Sequence, residues 1–123
     1  MPDDAAAIIG GAPVLDGEAL ARVRRVGQDA LLRRMIELFF EHAPGRLDSA
    51  LQDAAPAAVM KAAHSLKSSA GNLGLERVTR LAAAIEVRAA ADDPSYDVLR
   101  PALARAFADG RVALERELER MAT

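Results

Sequence analysis

One histidine, His64, sits in the alanine- and leucine-rich stretch AAHSLKSSAGNLGL (residues 62–75), with Lys67 three positions on. An exposed neutral imidazole is a nucleophile near neutral pH. Taking up a phosphoryl group would put a large negative charge on the ring. An ammonium group one helical turn away would meet that charge with a charge-assisted contact. Small residues follow the histidine on its own face, Ser68 and Gly71. A glycine on a helix surface costs stability, but it leaves a low, flat surface on which a second protein can approach closely. Met60, between Lys67 and Gly71 around the helix, is a candidate for an apolar part of that docking surface.

The elements that must position this pair read as helices. With about 100° of turn per residue, Ala62, Ala63, Leu66, Ala70 and Leu73 fall within about 60° of Val59 and form a buried stripe with it. His64 then points outward at about 140° from Val59, with Lys67 on its core side at about 80°. This helix is expected from Pro56 to Asn72, where Gly71, Asn72 and Gly74 end or turn it. Before it, Asp16 caps a short helix reaching Val26, Gly27 interrupts, and a long helix runs over residues 29–53 with Pro44 expected to kink it. After it come a helix striped by Leu75, Val78, Leu81, Ala82, Ile85 and Ala89, and a last one striped by Leu99, Leu103, Phe107, Gly110, Leu114, Leu118 and Met121. Gly110 in that stripe implies a close helix–helix approach. Short connections make successive helices antiparallel neighbours. The fold class is therefore all-α, an antiparallel up-down-up-down four-helix bundle with a short extra N-terminal helix. Residues 1–13 are expected as a flexible arm and 14–123 as the bundle domain.

Composition agrees. Of 123 residues, 51% are hydrophobic and 28% charged, with only 3% aromatic, so the core must be aliphatic and helix-favouring. Sixteen basic against 18 acidic side chains leave a net charge of −2, without the basic stripe of a nucleic-acid binder. No apolar run reaches the roughly 18 residues that span a bilayer, and the acidic opening is unlike a signal peptide. Cysteines are absent, which excludes disulfides and thiol chemistry. No Gly-rich nucleotide loop is present, so the chain is not expected to bind ATP or phosphorylate itself. His42 and His64 without a spaced set of carboxylates are weak grounds for a metal, and none is expected; His42 reads as structural or solvent-exposed. A cytoplasmic monomer fits these features, and the starting Met and length favour a free-standing carrier.

The run His64-Ser65-Leu66-Lys67-Ser68-Ser69-Ala70-Gly71-Asn72-Leu73-Gly74-Leu75 resembles the histidine-containing phosphotransfer (HPt) domain family, with its His-x-Leu-Lys-Gly-Ser-Ser run and following Leu-Gly. Val14-Leu15-Asp16, Leu38-Phe39-Phe40, Leu81 and Ile85-Glu86 extend the likeness over about residues 14 to 121. The resemblance implies a relay of phosphoryl groups in two-component signalling, to and from aspartates of receiver domains on response regulators and hybrid histidine kinases. His64 would carry the phosphoryl group on Nε2 and Lys67 would stabilise it. Ser69 would match a serine near the site, and Gly74 the glycine of the turn between the central helices. Both join the expected docking set of Met60, Ser68 and Gly71. No cofactor is implied here, because the assisting Mg²⁺ belongs to the receiver. Ser68 stands where the family usually has glycine and Ala70 where it often has serine. Glu86 stands where some members carry glutamine, and since a carboxylate pointing at a phosphate would repel it, no catalytic role is assigned to it. The other readings are a binding-only adaptor that docks receivers and a purely structural bundle.

Overall fold

The structure, a computed structural model, describes residues 4–122. Its elements are α1 (Asp4–Ile9), α2 (Gly17–Gln52), α3 (Pro56–Asn72), α4 (Glu76–Ala90) and α5 (Tyr96–Ala122), with no strand among the described residues. Helix α3 packs between α2 and α4, and α5 closes the ring against α4 and α2. This is the four-helix bundle, and α1 lies across α4 and α5. The expected stripes are its core: Val59, Leu66, Leu81, Ile85, Leu99, Leu103 and Leu114 are completely buried. Phe39 and Phe107 stack across the α2–α5 seam with ring centroids 5.6 Å apart.

Asp16 caps α2 by accepting from the Glu18 amide at 3.1 Å. The expected interruption at Gly27 is present: Gly27 and Gln28 leave helical geometry, so α2 is two helical segments joined across a kink. A Cβ at Gly27 would lie 2.5 Å from that of Leu31. Next to it, Gln28 takes φ 63° and ψ −167°, a region that residues with a Cβ rarely enter and that costs of order 1–3 kcal/mol. Arg24 bridges the kink to Asp29 at 2.9 Å and also reaches Glu117 of α5 at 3.2 Å. Replacing Gln28→Gly is expected to relieve this strain and raise stability by about 1 kcal/mol after glycine's own entropy cost, read as a higher denaturant midpoint at unchanged slope.

Three expectations are corrected. Helix α2 runs through Pro44 with helical backbone angles, so its only break is at Gly27–Gln28. Residues 4–12 do not form a loose arm, and residues 1–3 of that expected arm lie outside the described residues. The Ala-rich segment makes α1, buries Ala5 and Ala12, and is held by α4 arginines. Arg80 donates to the Ile9 carbonyl at 3.0 Å, Arg77 to that of Ala12 at 2.8 Å, and Arg88 pairs with Asp4 at 2.9 Å. Finally, the apolar stripe of α5 gives way near its end to Glu117, which is buried between Arg24 and Arg120 while Leu118 is only half-buried.

The α3–α4 turn fixes where the centre of the bundle meets the start of α2. Gly74 adopts φ +74°, and its carbonyl accepts from the Asp16 amide at 2.8 Å. Gly110 permits the close approach expected of it, since a Cβ there would meet Leu75 at 3.0 Å.

Candidate functional site

Helix α3 presents His64 as its periodicity requires. With Val59, Ala63 and Leu66 fully buried, the histidine projects outward with 64% of its side chain exposed. Lys67, one turn on and nearer the core, is half-buried, so its stem packs while its ammonium reaches the surface. Across the seam, α4 buries Ala82, Ile85 and Ala89. Glu86 falls at the edge of that stripe, about 80° from its centre, and leans onto α3.

There the three side chains meet. One oxygen of Glu86 lies 2.5 Å from His64 Nδ1 and the other 2.6 Å from Lys67 Nζ. The bond from Lys67 holds the Glu86 carboxyl below its ordinary range, against the opposing effect of burial, and the bond from His64 adds to this. Glu86 is therefore an anion at neutral pH and can only accept hydrogen bonds. The proton between it and the ring must reside on Nδ1. In the neutral imidazole this leaves the lone pair on Nε2, the nitrogen that no described protein group engages. A carboxylate on one ring nitrogen thus fixes the tautomer and orientation that make the other a nucleophile, as outer carboxylates do for metal-bound histidines.

Sequence reasoning brought His64 and Lys67 together but left Glu86 unassigned. The carboxylate does point at the site. It engages Nδ1 and Lys67, whereas a phosphoryl group would sit on Nε2, at the opposite end of the imidazole, so the repulsion argued from its charge does not decide its role. The available signal was its position at the margin of the α4 stripe.

The expected docking residues divide. Ser68 and Gly71 are exposed on the His64 face, and Met60 is half-buried beside it. A Cβ at Gly71 would meet nothing closer than Thr79 at 3.8 Å. Packing does not demand a glycine there, which fits a surface kept low for contact. Ser69 faces α2 instead, and its hydroxyl donates back to the Ser65 carbonyl at 3.0 Å. It lines a groove of about 190 Å³ with Met35, Leu38, His42 and Asn72. His42 is exposed on the rim of that groove. Gly74 is buried, with Asp16 and Ala19 where a side chain would be. It shapes the turn and offers no surface to a partner.

Residues 34–123 match the family model described as Hpt domain. No curated protein matches the chain. Among solved structures, the crystal structure of histidine-containing phosphotransfer protein B (HptB) from Pseudomonas aeruginosa PAO1 is similar, with a TM-score of 0.79 and 26% sequence identity over 89% of this chain and 98% of that one.

Proposed function

Because the chain belongs to the Hpt domain family, whose work is histidine phosphotransfer in two-component signalling, we propose that His64 is its phosphoryl-accepting residue and Nε2 the accepting atom. Hpt domains exchange phosphoryl groups with receiver domains. The partners proposed for this chain are receivers of response regulators and of hybrid histidine kinases, met by a cytoplasmic monomer. No helix among the described residues is long and apolar enough to cross a membrane.

The observation that carries the assignment is the pairing of His64 Nδ1 with an ionised Glu86 on a histidine otherwise open to solvent. In the neutral ring it leaves the lone pair on Nε2 of a solvent-exposed side chain, so an acyl phosphate in a partner's active site can be approached in line. A receiver must come within bonding distance of Nε2, and the low surface of Ser68 and Gly71 admits it. Lys67 lies one turn away on the same seam; its ammonium, paired with Glu86 in the unphosphorylated chain, turns on its long stem toward the phosphoryl oxygens once they arrive and compensates their charge.

The test is to mix the chain with a panel of labelled, phosphorylated receiver domains and map the label. Acid-labile, base-stable label on the peptide containing His64 is the expected result. Binding without label would instead identify a docking adaptor. Lys67→Ala is expected to leave the fold intact, since its ammonium is partly exposed, and to slow label uptake by about tenfold or more, measured as the initial rate from one receiver at fixed concentration.

A further inference from the structure

We propose that Glu86 sets the lifetime and transfer potential of phospho-His64 by holding the proton on Nδ1 throughout the phosphorylated state. The inference rests on His64 as the phosphoryl carrier and assigns a positioning role to a residue that does not touch the phosphoryl group. Two charged groups face the ring, Glu86 from α4 and Lys67 from α3 itself. Among the described residues, no charged side chain of α2 pairs with any of the three. The carboxylate is only 19% exposed, and each of its oxygens is committed, one to Nδ1 and one to Lys67.

The chemistry follows from where the proton sits. In the accepting step the Nε2 lone pair forms the N–P bond, the P–O bond to the donor carboxylate breaks, and its electron pair leaves with that carboxylate. No proton moves, since Nδ1 already carries one. The product is a phosphorylated imidazolium whose positive charge faces Glu86. In the donating step an acceptor carboxylate oxygen forms the new P–O bond, and the N–P electrons return to Nε2. Neutral imidazole departs, again with Nδ1–H in place. Were the Nδ1 proton lost to water between these steps, the leaving group would be an imidazolide anion, a far poorer one. An anion at hydrogen-bond distance opposes that loss. A glutamine in the same place accepts the same hydrogen bond without the charge. Carboxylate and carboxamide therefore set different lifetimes on the same scaffold, and the carboxylate here builds a carrier that discharges quickly.

Lys67 works against Glu86 in this respect, because it draws on the same charge. Removing its ammonium leaves the carboxylate wholly to the ring.

The test loads the wild-type chain, Glu86→Gln and Lys67→Met with phosphoramidate, which needs no protein partner. After the reagent is removed, loss of the phosphohistidine signal is followed by phosphorus NMR from about pH 5 to about pH 9, the range in which a ring nitrogen titrates. Wild type is expected to lose the phosphoryl group about three- to tenfold faster than Glu86→Gln near neutral pH. The two should converge in acid, where both rings are protonated. The pH at which loss slows should lie lower in Glu86→Gln than in wild type, and higher in Lys67→Met. A purely structural role for Glu86 would not move that pH in opposite directions in the two variants. Superimposable profiles on proteins loaded at His64 overturn the inference alone. Failure of any protein to load at His64 overturns both the inference and the reading of His64 on which it rests.

Discussion

His64→Gln is expected to abolish phosphoryl acceptance while leaving the bundle folded. The chemical loss is complete because a carboxamide nitrogen has no available lone pair, and no neighbouring group substitutes for it: Glu86 is only 19% exposed and held by Lys67, and Lys67 is bound to Glu86. The structural loss is small because the side chain is 64% exposed and the stripe beneath it is complete without it. What disappears is one hydrogen bond to Glu86, which the glutamine amide can replace as a donor. Stability should change by no more than about 0.5 kcal/mol, the usual scale for surface substitutions. Label incorporation from a phosphorylated receiver and a denaturant titration measure the two halves. Label retained by the variant would move the chemistry elsewhere, with the exposed His42 the first place to look, and an unfolded variant would show His64 to be structural.

The opposite pattern, a large loss of stability from a residue that touches no phosphate, is expected for Gly74→Ala. At φ +74° any residue with a Cβ is strained by about 1–2 kcal/mol. The added carbon would also stand 2.6 Å from the Asp16 carbonyl oxygen and 2.8 Å from the Ala19 Cβ. One of these is backbone, so no rotamer change relieves the contact. The turn must shift and give up its hydrogen bond from the Asp16 amide. A cost of about 3 kcal/mol or more follows, a large part of the 5–15 kcal/mol that holds a domain of this kind together. Urea titration reads it as a lowered midpoint. Gly71→Ala is the control three residues away. Its site is open and its backbone ordinary, so the folded state should gain up to about 1 kcal/mol from helix propensity, and any defect should fall on association with a receiver. A Gly74→Ala protein as stable as wild type would show that the turn yields more easily than these contacts imply.

Much of this molecule is periodicity made solid. The stripes of α3 and α4 are buried residue for residue, and the same 100° arithmetic that buries Leu66 turns His64 to solvent and Lys67 to the seam. Gly27 announces the break in α2 and Gly110 the close approach to Leu75, because at each a Cβ would crowd a leucine side chain, Leu31 or Leu75. Helix α1 is different. Six residues cannot sustain a helix alone, and nothing local marks these as ordered. They are ordered by Arg77, Arg80 and Arg88 of α4, more than sixty residues further along the chain. Pro44 misleads in the other direction, since a long helix packed on both sides tolerates one missing donor.

The sequence by itself therefore determined the helices, the face each one buries, and the exposed histidine with a lysine one turn away, for all of these depend on neighbours within a turn or two. Only the tertiary structure decided that Glu86 is the third member of the site, that Gly74 lies inside the molecule, and that Glu117 is buried. Each depends on how far one helix is displaced along another. A shift of a single residue between α3 and α4 moves a side chain about 1.5 Å along the axis and turns it by about 100°. That offset is set by the whole core and by the turn at Gly74, and no local pattern encodes it.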